Sequence, residues 1–217
     1  MTSGLSSVPV TGRRYQRASP GVRYRSVPDP GWCWRGTVPC VIRVFVAQSL
    51  DGFIAGPDDD LSWLPAGDAQ QAGVFEDSGY EALMEQSVAL LMGRRTFDVV
   101  DGFGAWPYDD KPVFVATSRP LACDEPSVRA VSGTPQELVA AVRADVGEGG
   151  IYLDGGALIR SFLDAGMVDE VTVTVIPMIL GEGIPLFAGA GHQRALRLQE
   201  SRDLGAGIVQ LRYSVAG

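Results

Sequence analysis

The sequence predicts an α/β fold built on a mostly parallel sheet that ends in an antiparallel hairpin. Two observations indicate this class. From residue 41 onward, short apolar runs rich in β-branched residues alternate with segments of helical periodicity. The last two runs, residues 195–200 and 207–215, succeed each other without a helix between them, which predicts an antiparallel pair at the edge of the sheet.

Each element is predicted from its own local pattern. Strands are expected where apolar, β-branched runs end at glycine, proline or a polar turn, namely residues 41–47, 88–92, 113–116, 128–131, 151–153 and 169–176. Helices are expected where apolar residues recur at helical spacing, namely residues 75–86, 134–146 and 157–164. In the second helix, Thr134 is the predicted N-cap, with Pro135 and Glu137 in the first turn. Residues 49–56, with two glycines, predict a loop, and Gly79 is a weak point of the first helix.

Composition excludes several classes of protein. The 217 residues, 46% of them hydrophobic, suffice for one domain with a full core. Three irregularly spaced cysteines form neither a disulfide framework nor a zinc-binding pattern. The single histidine, His192, argues against a histidine-based metal site and a Ser-His-Asp triad. No apolar run reaches the roughly 18 residues of a membrane span. Together, these observations lead us to expect a reduced, cytoplasmic protein without a metal ion.

The charge of the chain is unevenly distributed. Six arginines and one aspartate give residues 1–40 a net charge of +5. Since the whole chain has a net charge of −8, residues 41–217 carry −13. An acidic domain argues against nucleic acid as a partner, and no membrane contact is expected. Residues 1–40 are rich in proline, glycine and arginine and show no periodicity. This predicts a disordered leader, or a translation start placed upstream of a domain at residues 41–217.

Three turns that follow predicted strands have the residue types of a phosphate-binding site. In Asp154-Gly155-Gly156, the glycines allow the main chain to approach a ligand closely, and the helix that follows directs N–H groups toward an anion. A glycine pair in such a turn can also serve packing alone. The other two turns are residues 93–96, with a glycine and two arginines, and residues 117–119, Thr-Ser-Arg.

Five blocks in the same order resemble the dihydrofolate reductase superfamily, and within it the stand-alone relatives of the C-terminal reductase domain of the bifunctional riboflavin-biosynthesis protein. The blocks are residues 49–55, 91–97, 115–120, 151–156 and 169–187. The resemblance covers residues 41–216 and implies a three-layer fold with a central mixed sheet, helices on both faces and a C-terminal antiparallel hairpin. The sequence lacks the zinc signature of the deaminase half and has no GxGxxG turn in a βαβ context, so only a reductase is expected.

The resemblance implies NADPH as the cofactor. The residues that it assigns to cofactor binding are Ala47, Gly93, Arg94, Arg95, Thr96, Thr117, Ser118, Arg119, Gly155, Gly156 and Ala157. Residues 93–96 would receive phosphate at a helix start, residues 117–119 the adenosine 2′-phosphate, and residues 155–156 the pyrophosphate. The chemistry agrees, because helix N-termini favour anions and guanidinium groups bind phosphate bidentately. The alternative for Arg94 and Arg95 is a solvated face after a strand.

Two aspartates are candidates for the proton donor. Folate-type reductases carry an acid on the first helix, and its spacing from Gly93 leads to Asp77, with Glu76 as the nearest competitor. Asp77 could instead serve as a helix cap. Pyrimidine reductases of riboflavin synthesis have an acid directly before the glycine turn, where this chain has Asp154, which could also cap the next helix. A partly buried carboxyl has a raised pKa, which suits a general acid.

Four further residues are assigned to the substrate end. Asp51 and Ile54 belong to the loop that closes over the nicotinamide in the family, and Asp51 suits a loop-fixing hydrogen bond better than catalysis. Trp63 and Trp106 could stack on a flat heterocycle or pack in the core or at its rim.

The expected function is that of an NADPH-dependent reductase acting on a pteridine- or pyrimidine-like heterocycle. One alternative is the 5-amino-6-(5-phosphoribosylamino)uracil reductase of riboflavin biosynthesis. That assignment is weakened because a lysine of those reductases is replaced by Phe45. A second alternative is an NADPH-binding protein without reductase activity. Relatives are often dimers, so a homodimer is expected by analogy.

Overall fold

The computed structural model describes residues 40–65 and 78–216. The predicted leader, up to residue 39, lies outside this range, and so do Asp77 and Glu76. The strands are β1 (Ile42–Ser49), β2 (Phe53–Ala55), β3 (Ser87–Gly93), β4 (Val113–Ala116), β5 (Val128–Val131), β6 (Gly150–Asp154), β7 (Glu170–Ile176), β8 (Ile184–Pro185), β9 (Leu196–Gly205) and β10 (Ile208–Val215). The helices are α1 (Tyr80–Gln86), α2 (Arg94–Asp101), α3 (Pro135–Val146) and α4 (Gly156–Asp164), and a 3-10 turn spans Pro57–Asp59. Within these ranges, no helix is both long and apolar enough to cross a bilayer.

Eight strands form the central sheet, in the order β5-β4-β3-β6-β1-β7-β10-β9. The six strands from β5 to β7 are parallel, whereas β10 pairs antiparallel with both β7 and β9. The β9–β10 connection is a two-residue turn in which Ala206 and Gly207 have φ of 52° and 79°, the left-handed conformation that a tight hairpin requires. The predicted mostly parallel sheet with a terminal antiparallel hairpin is therefore confirmed.

Helices cover both faces of the sheet. On one face, Val142 of α3 and Phe162 of α4 are completely buried against the inner residues of β1 and β6. On the other face, Leu83 of α1 and Phe97 of α2 pack in a second apolar cluster with Met92 of β3. Burial of each large apolar side chain stabilises the fold by about 1.5–3 kcal/mol. The three-layer architecture implied by the resemblance is thus confirmed.

The structure differs from the local predictions at the first helix, in residues 49–56, in the length of β9 and in helix α2, which the local pattern did not predict. In the described part of residues 75–86, the helix begins only at Tyr80, because Gly79 has φ 85° and serves as a left-handed N-cap. Residues 49–56 are not only a loop, since they contain β2, which pairs with β8 through Phe53 and Ala55. Strands of two and three residues are too short to show a period of two in the sequence.

The capping box of α3 is confirmed. The Thr134 hydroxyl accepts the Glu137 N–H at 3.4 Å, and the Glu137 carboxylate accepts the Thr134 N–H at 2.8 Å. This helix therefore has its first-turn donors partly satisfied by its own side chains.

Candidate functional site

The carboxyl ends of three central strands meet at one cavity of about 460 Å³. Ala47 lies near the end of β1, Gly93 ends β3 and Asp154 ends β6, and all three line this cavity. Parallel strands present their carboxyl ends at the same edge of a sheet, which is where open α/β proteins bind ligands. The topology therefore brings two of the three predicted phosphate turns together, residues 93–96 and 155–156.

Two helices begin at this cavity without a side-chain cap. Helix α2 starts directly after Gly93, and α4 starts directly after Gly155. The two turns are in contact, because a Cβ added to Gly155 would lie 2.6 Å from the Thr96 Oγ1 and 3.2 Å from the Gly93 backbone nitrogen. Two positive helix ends thus converge on one space, in contrast to the capped start of α3. We call residues 93–96 and 155–157 the anion end of the cavity.

The two N-cap glycines are needed for different reasons. Gly155 has φ 98°, a conformation that side chains disfavour, so the turn itself requires glycine. Gly93 has an ordinary φ of −72°, and a Cβ there would meet only the Leu158 Cβ, at 4.0 Å. Packing within the protein does not demand glycine at residue 93. Its missing side chain leaves room beside a helix N-terminus, which fits a ligand that approaches the main chain closely.

Among the described residues, three arginines line the cavity, and each has a partner in the protein. The Arg95 Nε donates to the Asp59 carboxylate at 2.5 Å, and the Arg94 Nε donates to Asp98 at 2.6 Å. Arg160 donates to the Pro185 carbonyl at 2.7 Å. The Arg95 side chain is 63% exposed. Since exposed ion pairs are worth about 0.2–1 kcal/mol, the Arg95 guanidinium can exchange Asp59 for a phosphate at small cost.

The third predicted phosphate turn, residues 117–119, lies beside α2 and outside the cavity lining. The Thr117 hydroxyl accepts the Arg119 N–H at 3.0 Å, which holds the turn. Arg119 approaches Asp98 of α2 to 3.9 Å, and Arg94 donates to the Pro120 carbonyl at 2.9 Å. Thr117, Ser118 and Arg119 therefore adjoin the anion end without forming its wall.

Part of the cavity lining is aromatic. Phe45, Tyr108 and Tyr152 line the cavity together with Asp154, and we call these four residues the aromatic cluster. The Tyr152 hydroxyl donates to the Phe45 carbonyl at 3.0 Å and lies 3.5 Å from the Asp154 Oδ2. Tyr80 packs edge-on against Tyr152, with ring centroids 6.3 Å apart. These contacts fix the rings and hold Asp154 in the cavity wall.

Asp154 is a half-buried carboxyl with few polar partners. Its Oδ1 accepts the Gly155 N–H at 2.6 Å, so it closes its own turn and leaves the first turn of α4 uncapped. Burial raises the pKa of Asp154, against the lowering effect of the Gly155 N–H and the Tyr152 hydroxyl. Burial, followed by the Asp154 charge, also raises the pKa of Tyr152, which keeps that phenol protonated. A carboxyl with a raised pKa in a cavity is a candidate acid.

Of the four residues assigned to the substrate end, only Ile54 lines the cavity. Asp51 accepts hydrogen bonds from the Ser49 hydroxyl at 2.7 Å and from the Gly181 N–H at 2.8 Å, and it joins two loops. The Ser49 hydroxyl, more than the N–H donors, lowers the pKa of Asp51 to about 2. These bonds give Asp51 the loop-fixing role.

The two tryptophans are packed beside the cavity. Trp63 packs near Ile176 and donates from its Nε1 to the Asp60 carbonyl at 3.2 Å. The Trp106 ring stands edge-on to Tyr108 at 5.3 Å and therefore supports the aromatic cluster from behind.

Sequence reasoning missed several cavity residues, among them Tyr152, Tyr108, Asp59 and Arg160. Tyr152 lies two residues before Asp154 on the same strand, so the alternation of side chains could have placed it on the same face. Tyr108 and Asp59 come from irregular segments and carry no such signal.

The mixed sheet, its two helical layers and the cavity at the strand ends define a reductase-like fold of the dihydrofolate reductase class. Consistent with this, dihydrofolate reductase of Enterococcus faecalis, solved in complex with NADP(H), has the same fold at a TM-score of 0.51 and 19% identity, over 82% of this chain and 97% of that chain. More specifically, the chain belongs to the RibD C-terminal domain family, whose model matches residues 40–210.

Two nearer relatives match this chain over almost their entire length. The uncharacterized protein YwjB of Bacillus subtilis is 31% identical over 172 residues, which are 78% of this chain and 95% of the relative. A solved structure from Shewanella sp. PV-4, provisionally named as a riboflavin biosynthesis protein, is 33% identical with a TM-score of 0.72. The match covers 82% of this chain and 99% of that one.

Proposed function

We propose that this protein is an NADPH-dependent reductase that transfers hydride to a pteridine- or pyrimidine-like heterocycle. One observation carries the proposal: two uncapped helix N-termini pack against each other in a cavity whose lining also holds a half-buried carboxyl. The family and its fold are reductase-like, which supports the same chemistry.

The residues of the anion end suit a dinucleotide. The N–H groups at the starts of α2 and α4 would bind the pyrophosphate of NADPH, and Arg95 would add a guanidinium. Gly93 and Gly155 would let the backbone approach the ligand closely. NADPH supplies the hydride, so the protein has to orient two rings, exclude water and provide a proton.

Asp154 is the proton donor that this geometry favours. Reduction of a ring C=N bond leaves a basic nitrogen that needs a proton, and a carboxyl with a raised pKa retains more of its protonated form near neutral pH. Asp154 lies at the cavity wall, so it touches whatever contacts the aromatic cluster. Asp77 stays a prediction, since it lies outside the described residues.

Turnover tests the proposal. The purified protein is incubated with NADPH and either dihydrofolate or the phosphoribosylated aminopyrimidine, and loss of nicotinamide absorbance is followed. We expect NADPH oxidation that depends on a heterocyclic acceptor. Cofactor binding with no oxidation by any acceptor of this class would contradict the proposal and favour a binding protein without reductase activity.

We expect Arg119→Ala to weaken NADPH binding about tenfold and to leave NADH binding unchanged, because an ion-assisted hydrogen bond to the 2′-phosphate is worth about 1.5–3 kcal/mol. Calorimetric titration with both cofactors measures the difference. Arg197→Ala removes the same charge from an exposed position of β9 and serves as the control. Equal loss for both cofactors, or an equal effect of Arg197→Ala, would show that residues 117–119 do not recognise the 2′-phosphate.

A further inference from the structure

The small two-stranded sheet forms part of the cavity wall. Strand β2 pairs with β8, and Ile54, Ala55 and Ile184 of these strands line the cavity. The pair belongs to a sheet of its own, apart from the eight-stranded sheet. Because an isolated pair of strands is marginally stable in water, contacts with the rest of the domain have to fix its position. We call β2 and β8 the wall strands.

Arg160 connects the wall strands to helix α4. Its Nη1 donates to the carbonyls of Pro185 and Leu186, at 2.7 and 3.3 Å. Pro185 is the last residue of β8, and the Leu186 side chain that follows it is completely buried. The Leu186 N–H donates to the carbonyl of Gly52, directly before β2, at 3.0 Å. One side chain therefore holds the end of β8, and through it β2, against the helix.

This contact lies at the first turn of α4. Arg160 follows Gly156 by four residues, so the two share one face of the helix, and the arginine side chain is directed toward the helix N-terminus. A Cβ added to Gly156 would lie 3.0 Å from the Ile54 Cδ1 and 3.1 Å from the Arg160 Nη1. The wall strands thus pack directly on the turn that opens the helix, and a shift of these strands would change the space beside that turn.

The partners of Arg160 distinguish it from Arg95. The Arg95 side chain is 63% exposed and pairs with a carboxylate, which a phosphate can replace. The hydrogen bonds of Arg160 are partly buried, and they go to backbone carbonyls whose positions the fold sets. If Arg160 turned to a phosphate, the Pro185 and Leu186 carbonyls would lose this donor, and a buried acceptor without a donor is costly.

We propose that Arg160 is a positioning residue for the reduction, which holds the wall strands against the start of α4 and thereby fixes how the two reacting rings lie in the cavity. This inference rests on the proposed function, because it takes the cavity to hold NADPH and its acceptor. A misplacement of about 1 Å can cost roughly 10²-fold in rate. The cofactor phosphates bind to the helix N–H groups and to Arg95, so the loss of Arg160 acts on kcat more than on cofactor affinity.

Arg160→Met tests this difference between turnover and binding. We expect kcat with the fastest acceptor to fall at least about tenfold, while the dissociation constant of NADPH stays within about threefold of the wild-type value. Arg160→Lys keeps a donor for the Pro185 carbonyl and should recover most of kcat. The control is Arg194→Met, because Arg194 donates to the Asp164 carbonyl at the other end of α4, at 3.0 Å, and lies outside the cavity lining. It should leave kcat unchanged.

Amide hydrogen exchange measures the position of the wall strands without turnover. In Arg160→Met, the Leu186 N–H should exchange at least about tenfold faster, because its bond to Gly52 loses support, whereas the Ile151 N–H in the central sheet should keep its rate. Arg160→Ala removes the same donors and should give the same pattern. It therefore decides the test if the methionine variant does not fold.

Other results would overturn the inference. A loss of NADPH affinity of about tenfold or more with unchanged kcat would make Arg160 a phosphate ligand. Unchanged kcat, an unchanged exchange rate of the Leu186 N–H, or an equal loss of kcat in Arg194→Met would contradict the positioning role. If neither the wild type nor any variant binds NADPH, the proposed function itself fails. Normal NADPH binding and turnover in Arg160→Met contradict this inference alone, so the two failures are distinguishable.

Discussion

Replacing Asp154 with asparagine is expected to lower kcat by about 10²–10⁴-fold, because general-acid catalysis contributes rate enhancements of this size. NADPH binding should change little, since an asparagine oxygen can still accept the Gly155 N–H that closes the turn. Steady-state kinetics with the best acceptor and a parallel cofactor titration measure the two effects. The substitution should also remove the limb of the pH–rate profile that reports ionisation of Asp154.

Asp101→Asn is the control for this variant, because it makes the same chemical change at an exposed residue outside the cavity lining. It should leave kcat unaltered. A kcat of Asp154→Asn within about threefold of the wild type would exclude Asp154 as the proton donor and would direct attention to Asp77.

The same asparagine variant should be more stable than the wild type at neutral pH. Folding raises the pKa of Asp154. Its favourable contribution to the free energy of unfolding is therefore complete below the unfolded-state pKa of about 3.9, and it is lost as pH rises through the folded-state pKa. Above that pH the ionised carboxylate destabilises the fold, and asparagine removes this effect. The unfolding temperature of Asp154→Asn relative to the wild type should therefore increase with pH across this window. A difference that does not vary with pH would contradict the assigned shift.

Gly155→Ala is expected to reduce NADPH affinity at least about tenfold and to lower the unfolding temperature. A φ of 98° is strained for alanine by about 1–3 kcal/mol. The new Cβ would also lie 2.6 Å from the Thr96 Oγ1, so the two helix starts of the anion end would have to separate. Cofactor titration and thermal unfolding measure the two losses.

Gly147→Ala is the control that distinguishes the effect of backbone strain from an effect on the NADPH site. Gly147 ends α3 with φ 83°, and a Cβ there meets nothing within 4 Å. The variant should therefore lose stability through backbone strain while it binds NADPH normally. Unchanged NADPH affinity in Gly155→Ala, or equal losses in both glycine variants, would show that contact between the two turns is not needed for binding.

The parts of this fold that followed from the sequence are those with local signals. The capping box at Thr134 occupies a few adjacent residues. The antiparallel pairing of the last two strands was also predicted, although β9 extends to Gly205 instead of residue 200. The parallel core also followed, because parallel strands need crossover connections and helices separate most of the predicted strands. The β2–β8 pairing did not, since it joins very short segments that are far apart in the sequence.

The parts of the site that depend on local turns could be predicted from the sequence. The parts that depend on how side chains of distant loops pack together could be predicted less well. Gly155 was identified because a glycine pair separates a strand from a helix, and Gly93 because a glycine and two arginines follow a strand. The pairing of Arg95 with Asp59 and the contribution of Tyr108 depend on how loops fold over the sheet, which has no periodic signature. For Trp106, the sequence left stacking and packing as alternatives, and the structure places its ring against Tyr108 instead of the cavity.

Two converging helix N-termini form the proposed site for NADPH. Titration of the wild-type protein with NADPH and with NADH, followed by calorimetry, tests it most directly. We predict one NADPH per chain, bound at least about tenfold more tightly than NADH. Absence of measurable binding by either cofactor would contradict the account.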